Sequence, residues 1–594
     1  MSRLATRASR PLFRRLIAGC LAAALLLGLA CRGGETAVGT TAPVPDWSLD
    51  GQARAAEGRH GMVVSGHGLA SVAGARILER GGNAVDAAVA VGFALAAVLP
   101  AAGNIGGGGF LVHRSSDGEV RALDFREKAP GAATRDMFLD DDGEVTESAV
   151  IGHLAAGVPG SVAGLWEMHR EYGSLSWSDL VAPAIELARA HEVDEVRSRS
   201  LESAAPRLSR FPASALQFLV DGEAPPPGTM LEQPDLAATL SAIAEHGPDG
   251  FYRGRVADLI VAEMANGGGL ISHQDLLDYE PVWREPVEVE YRGHTIYSMP
   301  PVSSGGLTLG LILNALEGWD PLPPFGSAEL IHLEAETMRL AFRDRNTLLG
   351  DPDFVDIPRA QFESQDYADG LRSRIDPERA LPLPPIEVAP PAESTETTHY
   401  SVVDRWGNAA SVTTTINSGF GNAVTVTGAG FLLNNEMDDF AAAPGQPNQF
   451  GLVEGENNAI VPGKRMMSSM TPSIVLDPSG ELMMVVGTPG GPTIITTVYH
   501  VISNTIDHGM TLQEAVESPR VHHQAWPDQV FYEEGGLSAE ALEGLAARGH
   551  ELFERGLSGD VSAIRVEGSS LLGVADPRRG GDVSAPRGDA PAGG

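Results

Sequence analysis

The chain has 594 residues, of which 43% are hydrophobic and 20% charged, enough for a large buried core and too many for one ordinary domain. A formal net charge of −36 excludes nucleic acid as an expected partner, because phosphate binding requires clustered Lys and Arg. The two cysteines, Cys20 and Cys31, lie near the N-terminus, so the remaining chain offers no disulfide, cysteine nucleophile or cysteine metal ligand, and we expect no metal and no other cofactor.

Residues 1–31 predict a signal peptide of the bacterial lipoprotein type. A basic region runs from Arg3 to Arg15, and the apolar run 16–30 is too short for a membrane-spanning helix. The small residue before Cys31 predicts lipidation of that cysteine, which would leave the exported protein anchored to a membrane or in the periplasm. Cleavage near Ala30 with complete secretion is the alternative. Residues 32–58 predict a flexible tether.

The next segment predicts two helices and a glycine-rich connection. The helices span about 70–80 and 84–99, with Gly81, Gly82 and Asn83 between them. The second is almost wholly apolar and short, which is typical of a buried core helix. The glycine run 106–109 lacks a following Lys-Ser/Thr and a following helix, which favours close backbone packing over phosphate binding.

A strand predicted at 120–125 ends beside Arg126. A fixed guanidinium at a strand end suits a bidentate grip on a carboxylate. A surface ion pair with Glu127 or Asp124 is the simpler interpretation of the same residues.

Thr397 lies where a Pro-rich tract enters a predicted hairpin. Two β-rich runs, 400–403 and 410–416, surround a turn with Gly407 and Asn408. A threonine hydroxyl needs a base to become a nucleophile, and an N-terminal threonine carries its own base, the free α-amine. Self-cleavage just before Thr397 would create such a residue. The local pattern alone favours a threonine pair that merely starts a strand.

Polar groups suited to binding and catalysis follow the hairpin. Glu436 and Asp439 are three residues apart and suit a metal ion or, preferably, a substrate ammonium, since no full calcium-loop pattern is present. Gly490 and Gly491 follow a predicted strand and suit an oxyanion hole built from backbone N–H groups. Residues 439–451 predict a mobile lid. The tail from about residue 578 is rich in Gly, Pro and Asp and predicts disorder.

Taken together, these segments resemble the γ-glutamyltransferase family, also called glutathione hydrolases. Each motif is weak by itself, but the order in which they follow one another from about residue 60 to 577 is specific. The stretches that carry the resemblance are 81–86, 104–110, 124–127, 157–160, 397–404, 433–440, 468–470 and 489–491.

The resemblance implies an α+β N-terminal-nucleophile hydrolase fold, a four-layer αββα sandwich. It implies that one precursor cuts itself between Glu396 and Thr397. The large subunit would be 59–396 and the small catalytic subunit 397–594, and the two would form a heterodimer. The first threonine of the pair would be the nucleophile, with Thr398 as its neighbour.

The resemblance also assigns roles to the remaining polar residues. Thr415 would hydrogen-bond the nucleophile, and Gly490 and Gly491 would stabilise the oxyanion. The donor's α-carboxylate would be held by Arg126, Asn417, Ser468 and Ser469. Its α-ammonium would be held by Glu436 and Asp439. One departure is Phe450, which stands in the lid where many bacterial members carry Tyr, so the gating hydroxyl is missing.

The implied reaction is cleavage of glutathione and other γ-glutamyl amides through a γ-glutamyl ester, with water, an amino acid or a dipeptide as acceptor. A glutaryl or cephalosporin acylase of the same fold is the nearest alternative. Glu436 and Asp439 count against that alternative, because a glutaryl group has no ammonium. An uncleaved envelope lipoprotein that binds peptides is an alternative of another class, which Thr397, Thr415 and the glycine pair do not favour.

Overall fold

The computed structural model describes residues 47, 49, 52–384, 386, 388, 397–556 and 558–587. The predicted signal peptide, Cys31 and Glu396 lie outside these residues. Within the described chain, no helix combines the length and the apolar composition needed to cross a membrane.

Two seven-stranded antiparallel sheets form the centre of the molecule. The first, which we call the nucleophile sheet, has the order β19-β2-β10-β11-β3-β4-β7. Its strands are β2 (Gly61–Ser65), β3 (Gly108–Arg114), β4 (Val120–Asp124), β7 (Val282–Arg284), β10 (Thr398–Asp404), β11 (Ala409–Thr415) and β19 (Asp582–Ser584).

The second sheet has the order β1-β18-β17-β13-β12-β9-β8. Its strands are β1 (Arg54–Gly58), β8 (Val287–Tyr291), β9 (His294–Ser298), β12 (Ser473–Leu476), β13 (Leu482–Gly487), β17 (Ser562–Glu567) and β18 (Ser570–Ala575). Two minor sheets contain β5 (His191–Glu192) with β6 (Met230–Leu231), and β14 (Val521–His522), β15 (Val530–Glu533) and β16 (Leu552–Arg555).

Helices cover the outer face of each sheet. Those in the first half of the chain are α1 (Gly68–Glu79), α2 (Ala84–Val98), α3 (Ser161–Tyr172), α4 (Trp177–Arg189), α5 (Glu195–Leu208), α6 (Pro212–Phe218), α7 (Pro234–His246), α8 (Asp249–Tyr252), α9 (Gly254–Gly267) and α10 (His273–Leu277). The later ones are α11 (Gly305–Glu317), α12 (Ala328–Leu348), α13 (Arg359–Phe362), α14 (Gln365–Arg372), α15 (Thr493–Ile506), α16 (Leu512–Glu517) and α17 (Ala539–Ala547).

Three hydrophobic clusters show that these elements form four layers. One joins α1–α4 to the outer face of the nucleophile sheet, and another joins α11, α12 and α15 to the outer face of the second sheet. The third lies between the sheets and includes Val64, Val403 and Val485. Alternation along β10 explains the arrangement, because Tyr400 and Val402 face the helices while Val403 faces the other sheet. The predicted αββα sandwich is therefore confirmed.

The two helices predicted at the start of the chain are present. Side-chain hydrogen bonds cap the N-terminus of the second helix, where the connection between the two ends. The Asn83 side chain accepts from the Asp86 N–H at 2.9 Å, and the Asp86 carboxylate accepts from the Asn83 N–H at 3.0 Å, which caps α2. Asp404, in the β10–β11 turn, accepts from the Ala84 N–H at 3.0 Å. The buried helix is thus fixed to the hairpin that begins next to Thr397.

The predicted hairpin and the predicted glycine packing are also confirmed. Strands β10 and β11 pair from Thr398 with Thr414 to Val403 with Ala409. A Cβ added at Gly107 would lie 2.1 Å from the Thr415 carbonyl oxygen. Glycine is therefore required there for the backbone before β3 to approach the end of β11.

Two predictions about the chain ends are wrong over the residues that the structure describes; residues 32–46 and 588–594 lie outside them. The predicted tether 32–58 includes β1, which pairs with β18 from Arg54 to Gly58. The tail predicted to be disordered from about 578 instead supplies β19, which pairs with β2. Arg578 has a fully buried side chain with ion pairs to Glu533 and Asp576. Composition indicated disorder, but ladder hydrogen bonds and these ion pairs order the segment through residue 587.

Candidate active site

The hydroxyl groups of Thr397 and Thr415 lie together at one end of the β10–β11 hairpin. Their Oγ1 atoms are 3.0 Å apart. The backbone N–H of Asn417 donates to Thr415 Oγ1 at 2.8 Å, which fixes the Thr415 hydroxyl in place. Antiparallel pairing explains the meeting, since Thr397 precedes the first residue of β10 and Thr415 is the last residue of β11.

The backbone is strained on both sides of this pair. Thr397 has a φ of +96° and Asn417 a φ of +71°. Asparagine adopts the left-handed region at small cost, but a β-branched residue with positive φ is a genuine outlier. Such strain persists only where the surroundings impose it, and it concentrates at functional sites.

Arg126 is held beside the threonines by two carboxylates. Its side chain is 1% exposed, and its Nη atoms form ion pairs with Glu436 and Asp439. Its Nε also donates to the Met466 carbonyl at 3.3 Å. Glu127 is fully buried, and its Oε2 atom lies 3.7 Å from Arg126 Nη1. The surface ion pair that sequence alone permits is therefore excluded, because both Arg126 and Glu127 are buried.

Burial and neighbouring charges shift the pKa values of Arg126 and of the three carboxyl groups around it. Burial raises the pKa of Glu436 well above its usual value, although the Arg126 charge opposes the shift. Burial likewise raises the pKa of Asp439, and it raises that of Glu127 to about 7. Burial alone would lower the pKa of Arg126, but Glu436 and Asp439 raise it. Two buried carboxyls and the 15% exposed Asp439 therefore surround one permanent cation, whose charge does not fully offset the effect of burial on their pKa values.

Ser468 and Ser469 lie on the wall of the same cavity. The Met470 N–H donates to Ser468 Oγ at 3.1 Å. The Arg345 guanidinium donates to Ser469 Oγ at 3.1 Å and forms an ion pair with the buried carboxylate of Glu454. Arg345 thereby brings a second buried cation to the cavity.

The cavity brings together nearly every residue that the sequence predicts for the site. Its volume is about 30 Å³, room for roughly two or three water molecules. Its walls include Arg126, Thr397, Thr415, Asn417, Glu436, Asp439, Ser468, Ser469 and Gly491. Gly490 is the predicted site residue that does not line it; its φ is +136°.

The predicted lid contributes Asn448 and Phe450 to the wall. The Phe450 ring packs against the core between the second sheet and its helices, and the Phe450 carbonyl accepts from Gln524 Nε2 at 3.0 Å. The apolar cover implied by Phe450 is therefore present, whereas the mobility of 439–451 stays a prediction.

Sequence reasoning missed Arg345 and Glu454. Arg345 lies on α12, whose apolar stripe predicts a core helix. Its guanidinium pairs with Glu454, which is 109 positions later in the chain. Its neighbour Arg343 pairs locally with Asp344, so composition could not distinguish the two arginines. Only the fold brings Arg345 to the site.

One cluster elsewhere has the residue types of a metal site. Within the described chain, His332, Glu336 and His550 place potential ligand atoms within 4.8 Å of one another. Arg339 Nη1 lies 3.2 Å from the Glu336 carboxylate, so a positive charge already occupies the neighbourhood. We interpret the cluster as a buried hydrogen-bond network, in which His332 Nδ1 and His550 Nε2 are 2.7 Å apart.

The four-layer fold, with a threonine at the head of a central strand, defines an N-terminal-nucleophile hydrolase. The cephalosporin acylase from Bacillus halodurans has this architecture, with a TM-score of 0.80, 27% identity and coverage of 92% of this chain and 99% of that one. The sequence profile of the family described as gamma-glutamyltranspeptidase matches residues 70–585. The chain belongs to that family.

Individual relatives agree with this placement. The glutathione hydrolase proenzyme of Escherichia coli (strain K12) is 44% identical over 535 residues, covering 89% of this chain and 92% of that protein. The solved γ-glutamyltranspeptidase of Helicobacter pylori is 45% identical with a TM-score of 0.52. That alignment covers 53% of this chain and 92% of the solved one.

Proposed function

We propose that this chain is a proenzyme that cuts itself before Thr397 and then transfers γ-glutamyl groups. The donors are glutathione and other γ-glutamyl amides, and the acceptors are water, amino acids or dipeptides. The observation that carries the proposal is one cavity holding the paired hydroxyls of Thr397 and Thr415, a buried guanidinium and two buried carboxylates. This combination matches a nucleophile next to a zwitterionic α-amino acid.

Self-cleavage between Glu396 and Thr397 is supported in two ways. The Escherichia coli relative is itself a proenzyme by name, and the solved Helicobacter pylori chain corresponds to only about half of this one. The positive φ of Thr397 places backbone strain in the residue that follows the bond to be cut. The products would be a large subunit ending at Glu396 and a small subunit 397–594, held together by their shared sandwich.

Donor recognition follows from an exchange of ion pairs. Arg126 is paired with Glu436 and Asp439. A donor's α-carboxylate would take over Arg126, with Asn417, Ser468 and Ser469 beside it, while its α-ammonium would take over the two carboxylates. Each charge keeps an opposite partner, so the exchange avoids leaving a buried charge unpaired. Because Arg126 is already paired with both carboxylates, donor binding requires this exchange.

The reaction then proceeds by acyl transfer. Thr397 Oγ1 attacks the γ-carbonyl carbon while its own α-amine takes the hydroxyl proton. The amine returns that proton to the departing nitrogen, so cysteinylglycine leaves from glutathione and a γ-glutamyl ester remains. Backbone N–H groups of Gly490 and Gly491 would stabilise the oxyanion, and Thr415 would hold Thr397 Oγ1 in position. Water or an amine then attacks the ester and releases Thr397.

Replacing Thr415 with valine is expected to slow turnover by roughly tenfold to a hundredfold, the effect of about 1.5–3 kcal/mol for a lost positioning hydrogen bond to a developing charge. The shape of the side chain is kept and only the hydroxyl next to Thr397 is lost. The measurement is kcat for a γ-glutamyl p-nitroanilide in the Thr415→Val variant.

Thr413→Val is the matched control, because Thr413 lies on the same strand and its hydroxyl contacts His399 Nδ1 at 2.8 Å instead of Thr397. Turnover should be nearly normal in this variant. Equal losses in both variants would contradict the role given to Thr415.

A glutaryl or cephalosporin acylase is the second candidate, favoured by the structural likeness to the Bacillus halodurans acylase. The two activities differ in the donor's ammonium, which a glutaryl group lacks. We expect γ-glutamyl p-nitroanilide to be cleaved with a kcat/KM at least about a hundredfold higher than glutaryl p-nitroanilide, since the unmatched Glu436 and Asp439 would remain desolvated.

The matched test of that preference is Asp439→Asn. Loss of the carboxylate should raise KM for the γ-glutamyl substrate and leave the weak glutaryl reaction unchanged or improved. Faster cleavage of the glutaryl substrate by the wild-type protein would instead assign the chain to the acylase activity.

Export and lipidation at Cys31 belong to the same proposal and rest on residues 1–31 of the sequence. The protein would then act in the periplasm or at a membrane surface. A labelled fatty acid incorporated into the wild-type protein but not into Cys31→Ser would support lipidation, and equal labelling of both would contradict it.

A further inference from the structure

A second cavity lies at the end of the sandwich away from Thr397. It has a volume of about 680 Å³, compared with about 30 Å³ for the cavity at Thr397. The turns β10–β11, β12–β13 and β17–β18 line it. Because β10 has seven residues, the two cavities are separated by roughly 20 Å along that strand.

Four arginines face this cavity in a protein of net charge −36: Arg59, Arg114, Arg405 and Arg565. None of them forms an ion pair with a described carboxylate, whereas Arg126 and Arg345 at the active site do. Arg405 is held by a hydrogen bond to the Leu78 carbonyl at 3.1 Å and lies 5.2 Å above the Trp406 ring. The Arg405 guanidinium is thus held at the wall, and the charge of Asp117 acts on Arg114 without forming an ion pair.

Arg114 is buried although its guanidinium has few hydrogen-bond partners. The residue is only 8% exposed, and its Nε is buried without a hydrogen-bond partner among the described residues. Its Nη1 reaches only the neighbouring Ser115 carbonyl, at 3.5 Å. A buried guanidinium normally has a carboxylate or several acceptors, so this one indicates an absent anionic partner.

The acidic residues of the wall do not supply that partner. Asp404 accepts hydrogen bonds from Trp406 N–H, Asn408 N–H and Ala84 N–H, and Asp477 accepts from Ser479 and Glu481 N–H groups. Asp477 is therefore turned into its own hairpin turn, and Asp404 is bound by its own turn and by the first residue of α2. Glu481 is exposed and forms no ion pair with these arginines.

The floor of the cavity is apolar. Val403, Leu482 and Leu571 belong to the cluster between the two sheets and also line the cavity. Trp406 is 51% exposed at its edge. Cationic walls over an apolar floor suit a molecule with an anionic head and an apolar body, and a volume of this size is typical of small-molecule sites.

We propose that this cavity binds an organic oxyanion, a carboxylate or phosphate ester that carries an apolar chain. The guanidinium groups of Arg114 and Arg565 pair with the head, and Val403, Leu482 and Leu571 contact the body. This site is separate from the γ-glutamyl site and does not depend on the activity proposed above. The same head-group chemistry belongs to a free amphiphile and to a membrane lipid.

The test is calorimetric titration of the processed protein with octyl phosphate, inorganic phosphate and octanol. We expect saturable binding of one octyl phosphate, at least about tenfold tighter than inorganic phosphate, because the chain buries several methylene groups. Octanol should bind weakly. Binding of inorganic phosphate as tight as that of octyl phosphate would overturn the apolar subsite, and no saturable binding of either would overturn the site.

Arg114→Gln and Arg565→Gln should each weaken octyl phosphate about tenfold or more, since each removes a charge-assisted hydrogen bond. Arg379→Gln is the control, because Arg379 is exposed and does not line the cavity. Equal affinity in all three variants, or equal loss in all three, contradicts the proposal. Arg565 is half-buried, so its variant remains informative if Arg114→Gln folds poorly.

Vesicles distinguish the two sources of the head group. Sedimentation with phosphatidylglycerol vesicles but not phosphatidylcholine vesicles, lost in Arg114→Gln, would assign the site to a membrane lipid. Octyl phosphate binding without vesicle binding would assign it to a free amphiphile. Binding to both kinds of vesicle with no effect of Arg114→Gln would overturn the site.

Discussion

Replacing Thr397 with alanine is expected to leave one uncut chain with no measurable γ-glutamyl transfer. The variant loses the hydroxyl that attacks the preceding peptide bond, and without the cut the α-amine that serves as base is never released. Intact mass of the purified variant beside the wild type measures the first effect, and a γ-glutamyl p-nitroanilide assay measures the second.

Thr398→Ala is the matched control for this prediction. Thr398 is the adjacent threonine and equally buried, but its side chain is directed toward Gly66 and away from Thr415. We expect it to be cut between Glu396 and Thr397 and to keep most of its activity. A cut Thr397→Ala chain together with an uncut Thr398→Ala chain would assign the nucleophile to Thr398 instead.

Replacing Arg126 with glutamine is expected to abolish donor binding and to destabilise the fold. Kcat/KM should fall by about a hundredfold or more, the effect of losing charged hydrogen bonds of about 1.5–3 kcal/mol each. The free energy of unfolding should fall by about 3–5 kcal/mol, because Glu127, Glu436 and Asp439 lose their buried counter-charge. Steady-state kinetics and denaturant unfolding measure the two effects.

Two further variants separate recognition from stability. Arg520→Gln removes an equally buried arginine that pairs with Asp576 outside the cavity, so it should lower stability without raising KM. Adding Glu436→Gln to Arg126→Gln should restore part of the stability but none of the donor binding. Normal KM in Arg126→Gln would contradict the ion-pair exchange.

Local patterns predicted the elements that carry the nucleophile. The β-rich runs around Gly407 and Asn408 form the hairpin β10–β11, and the apolar run predicted as a helix from residue 84 forms α2. These features depend on side chains within a few residues of one another. The family resemblance added the order of the layers, which periodicity alone does not determine.

Contacts between distant residues could not be predicted in the same way. Arg126 and Glu436 are 310 positions apart, and only the assembled sandwich shows that they pair. Arg345 reaches the cavity from a helix whose pattern indicates core packing. The strand β19 forms by pairing with the edge of β2. The Gly- and Pro-rich composition of the tail indicates disorder and does not predict this pairing.

The most direct test of the account is the mass of the small subunit during turnover. We expect acid quenching of the processed protein with a γ-glutamyl donor to yield a fragment beginning at Thr397 that is heavier by one γ-glutamyl group, with peptide mapping that places the group on Thr397. The unmodified fragment should return when the donor is exhausted. A modified residue other than Thr397, or turnover by a chain that is never cut, would contradict the mechanism.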